Sequence, residues 1–130
     1  MKYLGIDYGQ SKVGLALGDS ETGLALPYKI IGNPGWKGLV ADLLDIVKSE
    51  NIETLVVGLP LNTRSEASNQ TEQTRKFAEE LKTSSGLTLE LFDERFSSQE
   101  AKKLGAGKRD DDIAAMLVLQ NYLDSNPISD

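Results

Sequence analysis

Three acidic points stand where an apolar run meets a turn or a helix head: Asp7, the pair Asp93-Glu94, and the triplet Asp110-Asp111-Asp112. The chain has no His and no Cys. Thiol nucleophiles, disulfides, zinc fingers, histidine bases and Ser-His-Asp schemes are therefore excluded, and chemistry must run on carboxylates, hydroxyls, amines or a bound metal. Asp7 closes the run from Tyr3 and leads into Tyr8-Gly9-Gln10-Ser11-Lys12-Val13-Gly14. A glycine two residues after an acid at a strand end would let a ligand approach the backbone, although an aspartate there can also start a tight turn by bonding to its own main chain. Asp93 and Glu94 follow the apolar run Thr88 to Phe92 and are costly to desolvate unless paired, with Arg95 one available partner. The triplet heads the most apolar helix of the chain, where one carboxylate serves as a cap and complements the helix dipole. Three exceed what a cap requires.

Gathered at one sheet edge, these carboxylates would form the oxygen-rich donor set that Mg²⁺ or Mn²⁺ prefers. Two such ions about 4 Å apart would activate water and stabilise the leaving oxygen in an in-line attack on a phosphodiester. Beside them, Val56 to Gly58 runs into a loop stiffened by Pro60, in which Asn62 and Arg64 offer an amide and a guanidinium. Exposed arginines are also ordinary loop decoration.

The elements that must position these groups are legible from periodicity. Tyr3 to Asp7 and Val13 to Leu17 read as two strands of a hairpin turning through Tyr8 to Lys12. Leu24 to Ile31 reads as a third strand, confined by Pro27 to an edge or a bulge. After the breaker Gly32-Asn33-Pro34-Gly35, residues Leu39, Val40, Leu43, Leu44 and Val47 recur at helical spacing up to Glu50. Thr54 to Gly58 has the pattern of a strand buried on both faces. Glu66 to about Ser84 reads as a helix with Ala67, Thr71, Thr74, Phe77, Ala78 and Leu81 on one side, stopped at Ser85-Gly86. Thr88 to Phe92 is the fifth strand. A short helix from Ser97 or Ser98 to Lys103 precedes a last one, capped by Asp111 or Asp112 and reaching Leu123, which is apolar throughout Ile113 to Leu119 and so expected to be buried. The order predicts one α/β domain over residues 1–130, with a mixed sheet covered by helices.

The 130 residues carry 14 Lys+Arg against 20 Asp+Glu, a formal net charge of -6. Nonspecific nucleic-acid binders usually carry a basic excess, because their affinity comes from neutralising phosphates. The distribution matters more than the total. Arg95, Lys102, Lys103, Lys108 and Arg109 face only Glu100 within one stretch, and the Asp triplet follows at once. A site with this arrangement becomes attractive to phosphate once cations occupy it. No run reaches the roughly 18 apolar residues of a membrane span, and the opening is too polar for a signal peptide, so a cytoplasmic location is expected.

Four segments together resemble the YqgF/RuvX family of Holliday junction resolvases, also assigned as pre-16S rRNA nucleases. They are Asp7-Tyr8-Gly9 through Ala16; Val57-Gly58-Leu59-Pro60-Leu61-Asn62; Asp93-Glu94-Arg95-Phe96-Ser97-Ser98 with Glu100-Ala101; and Asp111 through Ala114-Ala115 to Leu123. The resemblance implies an RNase H-like fold, a five-stranded mixed sheet with an antiparallel meander followed by parallel strands, flanked by helices. It also implies a divalent-metal nuclease whose catalytic and metal-binding carboxylates are Asp7, Glu94 or its neighbour Asp93, and Asp111 or its neighbour Asp112. Asp7 would bridge two ions and the other two would anchor one each. Lys12, Asn62, Arg64, Arg95, Lys108 and Arg109 would contact the nucleic acid. Lys12 stands where the family usually has Arg, which keeps the charge but loses the bidentate fork. The stretch between Ala101 and Asp111 is shorter than usual for the family.

The function so implied is endonucleolytic hydrolysis of structured RNA or branched DNA, with processing of the 5′ end of pre-16S rRNA as the leading form. A junction resolvase is the alternative, and it needs two active sites, hence a homodimer. A binding module whose carboxylates are only caps and ion pairs is a third reading.

Overall fold

A computed structural model describes residues 1–59, 69–93 and 111–125 of the chain. Eight elements are present among them: β1 (Lys2–Asp7), β2 (Lys12–Asp19), β3 (Leu24–Gly32), α1 (Trp36–Ser49), β4 (Thr54–Leu59), α2 (Asn69–Ser85), β5 (Thr88–Asp93) and α3 (Asp111–Ser125). The strands form one sheet in the order β3-β2-β1-β4-β5. The first three pair antiparallel and β1-β4-β5 pair parallel. This is the mixed sheet the sequence predicts. The expected short helix from Ser97 or Ser98, and the start of the second helix at Glu66, lie outside the described residues.

Local chemistry explains the order. β4 is buried at every position, as befits a strand flanked by neighbours and covered on both faces. β3 is an edge strand, and its register to β2 shifts between Leu15 and Ala16, whose partners are Lys29 and Pro27. Pro27 thus sits beside a bulge on an edge, where a residue without an N–H is tolerated.

Alternation along the strands divides the core into two layers. One face carries Leu4, Ile6, Val13, Leu15, Leu55 and Val57 and packs on α1 and α2 through Leu39, Leu43, Phe77 and Leu81. The other carries Tyr3, Ala16, Ala25 and Val56 and packs on α3 through Ala115, Val118, Leu119 and Leu123. Gln120 ties α3 to the edge strand, accepting from the Ala25 N–H at 2.9 Å and donating to the Gly23 carbonyl at 2.8 Å. The apolar stretch of α3 predicts its burial correctly, with Ala114, Ala115 and Leu117 to Leu119 all buried.

The second face is thin because glycine leaves room for the helix. A Cβ on Gly5 would lie 2.8 Å from Leu119 Cβ and 3.1 Å from the Ala115 carbonyl oxygen, and one on Gly18 would lie 2.8 Å from Leu119 Cδ2. The helix backbone therefore runs closer to the sheet than any side chain at Gly5 would allow. Among the described residues, no helix is long and apolar enough to cross a membrane.

Candidate active site

The chain direction collects several element ends on one edge of the sheet. β1, β3, β4 and β5 all finish there, at Asp7, Gly32, Leu59 and Asp93, while α1 and α2 start there. The contacts of α3 fix its direction. Ala115 meets Gly5, Leu119 meets both Gly5 and Gly18, and Leu123 meets Gly18, which pairs with Tyr3 nearer the start of β1. α3 therefore runs opposite to β1. Asp111 precedes Ala115 by one helical turn, about 6 Å, and Asp7 follows Gly5 by two strand residues, about 6.6 Å, so the helix start and the strand end are level.

Asp7 is 7% exposed, on the last position of β1. By alternation it shares the face of Tyr3 and Gly5, the face that α3 covers. Its partner in β2 is Gly14. On the β4 side, Gly58 follows Val57, the partner of Ile6. Asp7 is thus flanked on both neighbouring strands by residues without side chains. Lys12 begins β2 two residues before Gly14, on the same face, and is exposed. The structure brings Asp7, Lys12 and the first turn of α3 to one corner, with the end of β5 two strands away.

Glu94, Asn62, Arg64, Arg95, Lys108 and Arg109 lie outside the described residues. Among the described residues, no group of three His, Cys, Asp or Glu stands close enough to hold a metal.

Gly9 has a further reason in the loop itself. A Cβ there would collide with the Lys12 carbonyl oxygen, so glycine is required by the tightness of the β1–β2 loop itself. That loop is braced from outside. The Asn33 amide donates to the Gly9 carbonyl at 2.8 Å, and its backbone N–H donates to the Ser11 carbonyl at 3.0 Å. Trp36 Nε1–H donates to the Tyr8 hydroxyl at 3.1 Å, and Tyr8 stacks on Phe77 at 4.6 Å between centroids. The loop after Asp7 is therefore held by the β3–α1 connection, α1 and α2 together. Sequence reasoning passes over Gly14, Gly58, Tyr8 and Trp36 as site components. Counting strand parity outward from Asp7 would have found the first two.

A five-stranded mixed sheet in the order β3-β2-β1-β4-β5, with α1 and α2 on one face and α3 on the other, is an RNase H-like fold. Solved structures agree on the fold. The chain superposes on RuvC of T. thermophilus in complex with Holliday junction substrate with a TM-score of 0.64, at 14% identity over 97% of this chain and 95% of that one. It matches the large terminase nuclease from thermophilic phage G20c with a TM-score of 0.60, at 16% identity over 94% and 81%. The sequence signature of RuvX, described as Holliday junction resolvase, matches residues 1–125. A relative from Maridesulfovibrio salexigens, named "Putative pre-16S rRNA nuclease", is 36% identical over 95% of this chain and 98% of its own length. The chain belongs to the RuvX (YqgF) family, and it is a hydrolase acting on phosphodiester bonds. Its substrate class is nucleic acid, and nucleases of this fold generally use divalent metal.

Proposed function

We propose that this chain is an endonuclease that trims the 5′ end of pre-16S rRNA, with Asp7, Glu94 and Asp111 as its catalytic carboxylates. The observation that carries the proposal is the placement of Asp7 level with the N-terminus of α3, on one face and at one edge of the sheet. In β5, Glu90 pairs with Val56 and Phe92 packs with the α3 layer.

The donor chemistry fits a hard divalent cation. Asp7 is a nearly buried carboxylate flanked by two glycine positions, and the chain contains no softer ligand than oxygen or amine nitrogen, apart from methionine thioether. Asp7, Glu94 and Asp111 would hold Mg²⁺ or Mn²⁺, two ions in our reading. Metal so bound would activate water and offset charge on the leaving oxygen.

Lys12 presents its ammonium on the face of Asp7, where it can meet a phosphate. Asn62, Arg64, Arg95, Lys108 and Arg109 are assigned to further backbone contacts. The positive end of the α3 dipole favours negative charge at its start, both the carboxylate and an approaching phosphate. The braced loop 8–11 limits the movement of the backbone after Asp7 and so preserves its position against the strand ends. We place the activity in the cytoplasm, where an rRNA precursor would be met.

Replacing Asp7 by Asn keeps shape and removes charge. Cleavage of a pre-16S fragment with Mg²⁺ should fall on the order of 100-fold or more. A folded Asp7→Asn chain that cuts at the wild-type rate would refute the assignment. Calorimetry with Mn²⁺ separates enzyme from binding module: millimolar metal should bind wild type and bind Asp7→Asn more weakly.

The family description favours one further reading, resolution of four-way DNA junctions. Two symmetric cuts need two copies of the site. Solution mass with and without a four-way junction distinguishes a homodimeric resolvase from a single-cut RNA processor.

A further inference from the structure

Trp36 is the single tryptophan of the chain. It opens α1 at the edge where Asp7 lies, and it remains 37% exposed. Its one polar atom is engaged inward: Nε1–H donates to the Tyr8 hydroxyl at 3.1 Å. Tyr8 in turn is 7% exposed and stacked on the fully buried Phe77, with an interplanar angle of 25°. The indole is therefore anchored by its edge, and what it leaves to solvent is apolar ring surface. That surface continues into a groove of about 440 Å³ lined by Trp36, Lys37, Val40, Ala41, Leu44 and Glu80, among others.

Anchoring matters for the chemistry of recognition. A free surface tryptophan must lose side-chain freedom to stack on a ligand, whereas one fixed through Tyr8 has already lost it. The two hydrogen bonds from Asn33 to Gly9 and Ser11 join segment 33–36 to loop 8–11. Trp36 is thus coupled through Tyr8 to the residue next to Asp7, at the same edge of the sheet but on the side covered by α1 and α2, so a strand lying on the indole reaches Asp7 only by passing over that edge. An apolar ring beside a lysine is the composition that takes an unpaired base and its adjoining phosphate, with little dependence on sequence. A blunt duplex offers no free base face of this kind except at its ends.

We propose that Trp36 is a stacking platform for an unpaired nucleobase of the substrate, with Lys37 on the neighbouring phosphate. The proposal rests on the nuclease reading and adds to it a preference for substrates with a single-stranded flank next to the structured part.

The position of Trp36 makes the test direct, because all indole emission of the chain comes from the proposed contact. The full Asp7→Asn chain is titrated with a twelve-nucleotide single-stranded RNA and, separately, with a blunt duplex of the same sequence, while binding is followed by the anisotropy of a labelled strand. The single strand should quench Trp36 as it binds, and the duplex should leave the emission unchanged at equal occupancy. In Trp36→Ala, single-strand affinity should fall about 5- to 100-fold with duplex affinity unchanged. Trp36→Phe, which keeps a ring and loses the bond to Tyr8, should bind the single strand more tightly than Trp36→Ala and more weakly than the chain with Trp36. A single strand that binds without quenching, no single-strand binding at millimolar concentration, or an equal loss for both ligands in Trp36→Ala would each overturn the platform. Quenching as expected in an Asp7→Asn chain that still cuts would leave the platform standing and sink the catalytic assignment instead.

Discussion

The two faces of the sheet are made by the same five strands and differ in what alternation places on them. Toward α1 and α2 the strands present Leu4, Ile6, Val13, Leu15, Leu55 and Val57, large aliphatics that meet Leu43, Phe77 and Leu81. Toward α3 they present Gly5, Gly14, Ala16, Gly18 and Gly58 among Tyr3, Ala25 and Val56. The thick face gains stability from buried apolar area. On the thin face, small residues bring a helix backbone close to the sheet, and its N-terminus arrives level with Asp7. With Asp7 as the proposed catalytic carboxylate, catalysis and most of the core packing fall on opposite sides of one sheet.

If that division is correct, perturbations of the two faces should have different signatures. The largest effect on activity belongs to Asp7→Asn, which should lower cleavage on the order of 100-fold while circular dichroism retains the native spectrum. Its counterpart on the thick face is Leu43→Ala. Leu43 is fully buried, and its truncation should cost about 2–5 kcal/mol of unfolding free energy in a denaturant titration. Cleavage per folded Leu43→Ala molecule should stay near wild type. An equal loss of turnover in the two variants would mean that the faces are not functionally separate.

Gly5→Ala should combine both signatures at smaller size. Its new methyl must displace Leu119 or the Ala115 carbonyl, so α3 lifts from the sheet at a cost of about 1–3 kcal/mol. Because the start of α3 moves with it, cleavage per folded molecule should fall as well. A Gly5→Ala chain destabilised as expected but fully active would show that the height of α3 over β1 does not matter to the site.

The smallest effect is an alkaline one confined to the α3 face. Burial raises the pKa of Tyr3 above 10.0, with Glu53 adding to it, and burial raises that of Tyr122, with Glu90 and Tyr3 adding. Their rings are 5.9 Å apart between centroids. In the unfolded chain both phenols titrate near 10, so the native state holds their protons longer. This contribution is complete below pH 10 and is lost as pH rises through the native values. Wild type should lose stability above pH 10, and a Tyr3→Phe, Tyr122→Phe chain should lose less over the same range in thermal melts.

Much of this was legible in the residues. Short apolar runs bounded by turn residues predict all five strands, Pro27 predicts an edge or a bulge and β3 has both, and the uniformly apolar Ile113 to Leu119 predicts that the last helix is buried. The class of chemistry follows from composition, since a chain lacking His and Cys with acids at strand ends has oxygen ligands to offer. Other features were not legible. Gly9 suggests ligand approach in the sequence, and only the folded loop shows that a side chain there would also collide with the Lys12 carbonyl. Trp36 stands between the breaker Gly32-Asn33-Pro34-Gly35 and the helical pattern that begins at Leu39, and nothing local reveals that its indole reaches Tyr8, 28 positions earlier in the chain.

What the sequence determined by itself is therefore the set of elements, their order and the kinds of groups available for chemistry, because periodicity, turn residues and composition act over a few residues at a time. Only the tertiary structure decided which face Asp7 shares, how near α3 comes to it and which side chains brace its loop. Those depend on strand register and on the missing side chains of Gly5 and Gly18. A glycine in a sequence reads as a break, and only packing shows it as the space into which another element fits.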